Sequence, residues 1–383
     1  MPIKLSVERQ TNVGRLCKIT EWGTYPEAID IQTPAYLTYT RFGHIPHITW
    51  DVAENELSLK QKQIYQLTLA SFFEALESIE NVSKDGGVSR FCCMPLNSIQ
   101  HLSLHDPLSK IPEGFNNNKS MAIWSGKAGR RSIEPENLIK ILKTCKPHSF
   151  TSLWDYDTPF NVLKKRHGKS LLRSSEWNIQ IFEKNHTIFD EPGFIPLAGG
   201  ISKESRIAFA KYFGPKLYAN GFLIDLLHFS HGENIQNKSE FEEDIVKDLI
   251  LDATLLIQQE APRLVEGAFD PHQIFSLVQS GCDLFDSSYT VLCGEKGIAF
   301  NVSEDYAKTG EFSTVDFTEE KNKTDMGPLC SHCSCYTCKT FKRAYLHHLI
   351  ACKEMLGFTL LIIHNMTEFD RMFEMIRTHL AQK

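Results

Sequence analysis

The chain is organised around the stretch Cys330-Ser331-His332-Cys333-Ser334-Cys335-Tyr336-Thr337-Cys338, because four of the eleven cysteines fall within these nine residues. Zn²⁺ prefers four thiolate or imidazole ligands arranged as a tetrahedron. A Cys-x-Cys-x-x-Cys spacing puts three sulfur atoms on one turn of chain, so a fourth ligand must complete the set. Cys333, Cys335 and Cys338 can be completed by His364 or by Cys330. The sequence therefore predicts a closed, structural zinc site and leaves both sets open.

Length and composition are those of an ordinary globular protein, with 383 residues, 42% hydrophobic and 23% charged. The formal net charge of −6 means that binding to nucleic acid would need a local basic surface or a basic partner. Eleven cysteines in a chain of this length indicate metal ligation and reduced core thiols. The N-terminus lacks the apolar core of a signal peptide and no apolar run is long enough to cross a membrane, so we expect a cytoplasmic protein.

Predicted strands and helices alternate along the first 300 residues. Extended β-branched and aromatic runs at 35–40, 149–154, 222–224 and 282–286 are separated by segments of helical periodicity. This alternation is typical of βα units around a parallel sheet, and the units are too numerous for a small doubly wound sheet. We therefore predict an α/β fold, a TIM (β/α)₈ barrel, over residues 1–300. Residues 301–383 are predicted to form a linker, a zinc-binding subdomain and a C-terminal helix.

The segment after Cys338 is predicted to form two helices. The first helix would carry its apolar side chains on one face and end at Gly357. The second would place His364 in its second turn, so the chain must fold back at Gly357 for His364 to reach the cysteines. We expect the neighbouring His347 and His348 to lie at the surface.

The run from Cys333 to Leu349, followed by His364-Asn365, resembles the C-terminal zinc motif of tRNA-guanine transglycosylases, including the 26 positions between Cys338 and His364. Residues 262–267 and 281–286 resemble the last two barrel strands of that family. The resemblance covers most of the chain and is strongest from about residue 260 to the end. It implies a TIM barrel with an added zinc subdomain, and Zn²⁺ bound by Cys333, Cys335, Cys338 and His364. It also implies a reaction that exchanges a guanine in tRNA for a 7-deazaguanine base.

Catalytic members of the family need a carboxylate nucleophile and a second carboxylate for proton transfer. Asp286 lies where the nucleophile is expected, although an Asp at the end of a strand can also simply cap the next turn. The family's Asp-Cys-Val-x-Pro-Thr-Arg is here the run 286–292, without the Pro and the Arg. Its Thr-Asp-Ser-Gly-Gly-Phe-Gln, which holds the second acid, has no counterpart, and the region expected to hold it is 118–125. Asp155 is the position that resembles the acid that recognises the base.

The loop that contacts the base in the family, Gly-Gly-Leu-Ala-Val-Gly, is replaced by the bulky run 221–229. A retained scaffold and zinc motif with an altered pocket resemble the non-catalytic subunit of the family's eukaryotic members. The chain is therefore predicted to be no enzyme itself but to support the exchange of guanine for queuine at the wobble position of tRNAs with GUN anticodons. An active transglycosylase with Asp286 as nucleophile is the alternative, and a zinc-stabilised barrel with another binding role is the third hypothesis.

The same resemblance implies partners. It predicts a heterodimer with a catalytic queuine tRNA-ribosyltransferase subunit through the zinc subdomains, with a homodimer as the alternative when the chain is alone. It places tRNA backbone contacts on the helix after the zinc motif, at Lys339, Lys342 and Arg343. The basic run Lys164 to Lys169 is more typical of a solvated helix face. A peripheral position at the mitochondrial outer membrane, reached through the complex, is left open.

Overall fold

The computed structural model of the chain describes residues 2–57, 61–82, 87–95, 97–109, 111, 114–125, 129–159, 162–185, 189–232 and 241–383. Its strands are, in chain order, β1 (Lys4–Thr11), β2 (Gly14–Glu21), β3 (Ile31–Thr33), β4 (Ala35–Thr40), β5 (Ile64–Thr68), β6 (Ile99–Ser103), β7 (Met121–Ser125), β8 (Gly129–Ile133), β9 (Ser149–Thr151), β10 (Gly193–Leu197), β11 (Gly221–Ile224), β12 (Arg263–Leu264), β13 (Leu284–Asp286), β14 (Ile298–Val302) and β15 (Phe312–Asp316).

The helices of the described residues follow the same order along the chain. They are α1 (Trp50–Glu56), α2 (Leu69–Phe72), α3 (Leu76–Val82), α4 (Gly87–Phe91), α5 (Pro135–Cys145), α6 (Lys164–Asn178), α7 (Lys203–Phe213), α8 (Glu243–Thr254), α9 (Pro271–Gln279), α10 (Ser288–Glu295), α11 (Tyr306–Thr309), α12 (Tyr336–Thr340), α13 (Arg343–Ala351) and α14 (Met355–Gln382).

Eight parallel strands close into a barrel, which confirms the predicted TIM fold. The order around the barrel is β4-β5-β6-β9-β10-β11-β12-β13, and β13 pairs with β4 to complete the circle. Every residue of β4 and of β6 is buried, as expected for parallel strands covered on both faces. Because all eight strands run the same way, their carboxyl ends and the loops that follow them meet at one end of the barrel, which is called the barrel mouth below.

The opposite end of the barrel is covered by the antiparallel sheet β1-β2-β3. A buried ion pair ties this sheet to the last barrel strand, since Nε of Arg15 lies 3.2 Å from a carboxylate oxygen of Asp283. Arg9 donates a hydrogen bond of 2.8 Å to the carbonyl of Ala381, near the end of α14. The C-terminal helix is thereby fixed to the N-terminal sheet.

The segment that we predicted as a linker contains an ordered hairpin, β14 with β15. Strand β14 of this hairpin packs against α14 and against α10, the last helix of the barrel. The predicted strand at 121–124 is present as β7, but it pairs with β8 in a separate two-stranded sheet and is not part of the barrel.

The prediction that Gly357 ends the first C-terminal helix is wrong. Helix α13 ends at Ala351, and the chain turns through Lys353, which has a φ of 56°, so that Gly357 lies inside α14. A Cβ at Gly357 would lie 3.0 Å from Ile350 and 3.1 Å from Leu349. The glycine therefore allows two helices to approach closely and does not make the turn.

Candidate metal centre and the closed barrel mouth

Four side chains meet between the start of α12 and the middle of α14. Cys333, Cys335, Cys338 and His364 each offer a ligand atom, and all four atoms lie within 4.8 Å of one another. Nδ1 of His364 is 3.3 Å from the sulfur of Cys338 and 3.7 Å from that of Cys335. Tetrahedral zinc with its usual bond lengths separates sulfur and nitrogen ligands by about 3.5 Å. The cluster therefore has the size and the chemistry that a metal ion of this type requires.

The surroundings of His364 prepare its ring for a metal. Nε2 lies 3.0 Å from the carbonyl oxygen of Phe300 and donates to it, which leaves the lone pair of Nδ1 directed at the cysteines. A hydrogen bond on the far ring nitrogen is the usual companion of a metal-binding histidine, because it fixes the tautomer and the ring orientation. His364 is fully buried and lies in the third turn of α14, not in the second as predicted.

Local backbone geometry sets the positions of the sulfurs. Cys335 is the N-cap residue of the short helix α12, and its sulfur accepts a hydrogen bond from the backbone N–H of Cys338 at 3.4 Å. Between them, Thr337 donates to the carbonyl of Leu360 at 2.6 Å, which docks the cysteine turn on α14. Cys330 is buried nearby but is not one of the four clustered residues.

Asn365 and Glu368 on α14 connect the metal-ligand cluster to the hairpin and the barrel. Asn365 is next to His364, and Glu368 lies one turn further along the helix. Asn365 accepts from the N–H of Phe300 and donates to the carbonyls of Ile298 and Thr290. Glu368 accepts from the N–H of Val302 at 3.2 Å. The metal centre is therefore continuous with the last helix of the barrel and is not a loosely tethered appendage.

At the barrel mouth, Asp286 ends strand β13 with its carboxylate fully engaged. One oxygen accepts the backbone N–H and the hydroxyl of Ser288, and the other accepts the N–H of Gly267 at 2.6 Å. Burial raises the pKa of Asp286 to about 7. The carboxylate caps the start of α10 and holds the loop around Gly267.

The part of the mouth between β6, β9, β11 and β12 is filled by the end of β11 and the segment that follows it. Leu223, Leu226 and Leu227 are buried there, and together with Trp154 and His105 they leave a cavity of about 10 Å³. One water molecule needs roughly 10–15 Å³ of such space, whereas small-molecule sites usually enclose roughly 300–1,000 Å³. The prediction that the bulky run 221–229 fills the space of a base is consistent with this geometry.

A buried arginine holds the filling segment in place. The guanidinium of Arg206, on α7, donates to the carbonyls of Gly200, Leu197 and Asp225. Asp225 is itself buried, and its backbone carbonyl belongs to the segment that closes the mouth. No feature of the sequence distinguished Arg206, because its three acceptors are all backbone atoms.

A second carboxylate lies at this end of the barrel, although not in the region that corresponds to the family's second acid. That region, residues 118–125, contains no acidic residue, includes β7 and lies outside the barrel. The chain that leaves the third barrel strand, β6, carries Asp106, which accepts the hydroxyl of Tyr39 at 2.8 Å and the N–H of Leu108 at 3.0 Å. Burial raises the pKa of Asp106. A second carboxylate is therefore present at this end of the barrel, and it is bound to a tyrosine.

Asp155, which resembles the family's base-recognising acid, is occupied by other side chains. Arg173 forms an ion pair with it at 2.6 Å, and the side chains of Asn116 and Thr158 donate to its other oxygen. Asp155 thus stabilises the loop around Asn116. Arg173, which follows the basic run at 164–169, is for the same reason part of a buried network.

The three residues predicted to contact tRNA differ in their surroundings. Lys339 and Lys342 are exposed. Arg343 forms an ion pair with Asp325 at 3.2 Å and donates to the carbonyl of Leu329 at 2.9 Å. Arg343 therefore has a structural task in this fold, and the two lysines have freely accessible charges.

A row of rings lies on the outer face of the metal centre. Tyr336 packs edge-on against Phe341, Phe341 stacks on Tyr345, and Tyr345 stacks on His348. Tyr336 and Tyr345 are 39% and 43% exposed. His348 is exposed as predicted, but His347 is buried with Nδ1 2.8 Å from the carbonyl of Phe317, so that part of the prediction is wrong. The exposed apolar row was not predicted.

The chain thus combines a TIM barrel with a buried Cys₃His cluster that could hold a metal ion. Residues 10–383 match the family model described as queuine tRNA-ribosyltransferase, and the chain belongs to this family. It is 37% identical over 378 residues to a protein of Caenorhabditis elegans named queuine tRNA-ribosyltransferase accessory subunit 2, covering 99% of this chain and 98% of that protein. Proteins of the same name from Drosophila yakuba and Xenopus tropicalis are 30% and 28% identical, covering 99% of this chain and 90% and 96% of theirs.

Within the described part of the chain, no helix combines the length and the apolar character that crossing a bilayer requires.

Proposed function

We propose that this chain is the non-catalytic subunit of a tRNA-guanine transglycosylase complex. It supports the exchange of guanine for queuine at the wobble position of tRNAs with GUN anticodons by binding a catalytic subunit and tRNA. The observation that carries the proposal is the filled space between the ends of β6, β9, β11 and β12, in which Leu223 to Leu227 leave a cavity of about 10 Å³. A flipped guanine needs a pocket many times larger.

The state of Asp286 supports the same proposal. Attack on a ribose carbon requires an ionised carboxylate with an accessible lone pair. The pKa of Asp286 is raised by burial to about 7, and its oxygens accept three hydrogen bonds from Ser288 and Gly267. Hydrogen bonds to a carboxylate stabilise its ground state and lower its reactivity as a nucleophile. Asp286 thus serves the fold as a cap.

The metal centre has a structural role in this proposal. Cys333, Cys335, Cys338 and His364 would hold one Zn²⁺ with no open position, and such closed sites stabilise a fold and do not activate water. The bound metal would fix the outer face of the module, where the rings of Tyr336, Phe341, Tyr345 and His348 form the exposed row. We propose this row as the contact surface for the catalytic subunit, because exposed aromatic rings are the usual anchors of protein interfaces.

The exposed cations beside the metal centre are proposed to contact tRNA. Lys339 and Lys342 can approach the phosphate backbone, whereas Arg343 would do so while keeping its ion pair with Asp325. Backbone contacts of this kind position a nucleic acid without reading its sequence. They suit a subunit that orients tRNA for its partner.

Base exchange provides the test. Incorporation of radiolabelled guanine into a tRNA with a GUN anticodon is measured for this chain, for a catalytic transglycosylase subunit and for their mixture. We expect activity in the mixture alone, or strongly increased there over the catalytic subunit. Activity of this chain by itself, lost on Asp286→Asn, would establish the alternative of a working active site.

Two matched variants make the result unambiguous. The nucleophile of the catalytic subunit is replaced by Asn in one mixture, and Asp286→Asn is introduced here in the other. We expect Asn at the nucleophile of the catalytic subunit to abolish base exchange, and Asp286→Asn in this chain to leave the exchange rate unchanged. The mass of each complex shows whether the subunits still assemble. Absence of both assembly and activation would contradict the proposed function.

A further inference from the structure

Exposed aromatic and basic side chains form a surface on the outside of the barrel, away from the metal centre. Trp124 on β7 is 40% exposed, and Phe115 in the preceding loop is 46% exposed. Trp124 is directly opposite Arg130 on β8, so the two side chains project from the same face of the hairpin. The guanidinium of Arg130 lies 4.6 Å from the centre of the Phe115 ring. Phe115, Trp124 and Arg130 are called the hairpin platform below.

The loop that presents Phe115 is fixed by buried polar groups. The carboxylate of Asp157 accepts the N–H groups of Phe115 and Asn116 at 2.6 and 2.8 Å. The side chain of Asn116 accepts the N–H of Ala122 at 2.6 Å, and its carbonyl accepts Arg173 at 2.7 Å. The partly exposed ring of Phe115 is therefore presented by a loop whose hydrogen bonds do not involve the ring itself. Such preorganisation reduces the entropy that binding has to overcome.

A basic helix start adjoins the platform. Helix α6 begins at Lys164, and its first turn contains Lys165 and Arg166 but no acidic residue. Arg166 reaches the platform loop, since a Cβ at Gly114 would lie 3.0 Å from its Nη2 atom. The N-terminus of a helix carries a partial positive charge, so positive side chains there are repelled by the helix dipole and anions are attracted. An anion bound there would relieve this repulsion.

On its other side, Trp124 borders an open groove of about 530 Å³ beside the loops that follow β4, β5 and β6, separate from the filled space next to β11. Phe42, 63% exposed, also lines this groove and has a φ of 55°, a conformation that a bulky residue rarely adopts. Arg41 in this groove is paired with Glu295 at 2.9 Å, and Glu74 adds a negative charge, so the groove does not suit a phosphate. Aromatic walls with hydroxyls from Ser71 and Ser109 suit a neutral, flat base.

We propose that the hairpin platform, the first turn of α6 and the groove between Phe42 and Trp124 bind an unpaired segment of the tRNA. Bases stack on Trp124 and Phe42, while Arg130, Lys165 and Arg166 neutralise the phosphates beside them. Alternating stacking surfaces and cations are what single-stranded nucleic acid requires. This inference rests on the proposed function and deepens it, because it gives the subunit an RNA surface separate from Lys339 and Lys342.

Tryptophan emission provides a first test. Trp124 is 40% exposed and Trp50 is half-buried, whereas Trp22, Trp154 and Trp177 are buried. Titration of the zinc-loaded chain with a short oligouridine should quench the emission, and Trp124→Phe should remove the quenching. An RNA duplex of the same length is the control ligand and should quench less. Equal quenching by the duplex, or unchanged quenching in the variant, would overturn the proposal.

Affinity measurements on the complex with the catalytic subunit test the same surface. We expect Trp124→Ala and Phe115→Ala each to weaken tRNA binding on the order of tenfold, and Trp124→Phe to restore most of it. Arg130→Glu with Lys165→Glu should reduce the dependence of log affinity on log salt by about 1.4. Leu217→Ala and Lys143→Glu alter exposed residues elsewhere and should change neither quantity.

The outcomes separate this inference from the proposed function. If the complex assembles and exchanges bases but the platform variants bind tRNA normally, the platform has no RNA role and the proposed function stands. If Trp124→Ala dissociates the complex instead, the platform is a protein contact and the RNA inference is wrong. If the complex neither assembles nor activates exchange in any form, the proposed function itself fails.

Discussion

The metal centre and the barrel mouth were both predicted from short motifs, yet the side chains of the two motifs have opposite surroundings in the structure. At the metal centre, Cys335, Cys338 and His364 converge within 3.3 to 3.7 Å, ready for an ion. At the barrel mouth, Asp286 occupies the end of its strand but is bound by Ser288 and Gly267 in a filled space. The first motif has the geometry that a metal ion requires. The carboxylate in the second motif is part of the packing.

The physical difference lies in what each site needs. A metal centre needs four ligand atoms in one place, and nearby positions in the chain supply most of them. A base pocket needs an empty, polar space whose walls come from several strands. Substitutions anywhere along those walls can close the pocket, whereas the ligand set survives unless a ligand itself is lost.

The largest predicted effect comes from removing a metal ligand. Cys338→Ser should abolish stoichiometric zinc and unfold the module, because structural zinc contributes roughly 10 kcal/mol in small metal-binding domains. Mass spectrometry measures the zinc content, and thermal unfolding measures the stability of the module. Cys330→Ser is the matched control and should retain zinc. Loss of zinc from Cys330→Ser with retention in His364→Ala would instead favour the four-cysteine set.

The second effect concerns the segment that closes the mouth. Arg206→Met removes the donor shared by the carbonyls of Gly200, Leu197 and Asp225, and leaves buried acceptors without partners. We expect a loss of about 3–5 kcal/mol in the free energy of unfolding, measured in urea. Arg130→Met at the surface should change it by less than about 0.5 kcal/mol. Equal effects of the two changes would show that Arg206 does not hold the segment.

The third effect is a pH dependence that belongs to the closed mouth. Burial, with the nearby His228, lowers the pKa of His105 to about 3. The unfolded chain takes up a proton near pH 6.5 and the folded chain does not, so stability falls as the pH falls below 6.5. Between pH 7 and pH 5 this residue should reduce the free energy of unfolding by about 2 kcal/mol.

His105→Phe keeps a ring against Tyr156 and removes the titrating group. Chemical denaturation at the two pH values should then show a smaller loss in the variant than in the native chain. Comparison of the two chains cancels the contributions of other groups, such as His148, whose pKa is also lowered by burial. Identical pH dependence in both chains would mean that water reaches His105 and that the mouth is open.

The smallest effect distinguishes the cations beside the metal centre. Lys342→Glu should leave stability within about 0.5 kcal/mol, whereas Arg343→Glu should cost about 1 kcal/mol through its lost contacts with Asp325 and Leu329. Both changes together should weaken retention of tRNA by the complex. Filter binding at low and high salt measures this, and unchanged binding in both would remove these residues from the RNA surface.

The sequence by itself determined the features that depend on spacing and on repetition. The rhythm of strands and helices gave the barrel, since a parallel sheet requires a crossover between neighbouring strands. The Cys-x-Cys-x-x-Cys spacing gave three ligands, and the resemblance of the surrounding motif selected His364 as the fourth. The loss of the family's pocket motifs was visible in the run 221–229.

The tertiary structure alone decided what distant residues do to one another. It placed the carboxylate of Asp106 at the barrel mouth, whereas the region that corresponds to the family's second acid, 118–125, lies outside the barrel because β7 pairs with β8. It showed that Arg206 binds only backbone carbonyls, which no side-chain pattern reveals. It also brought Arg166 to Gly114, across about fifty residues of chain. Contacts of this kind depend on how elements pack, and no local spacing determines them.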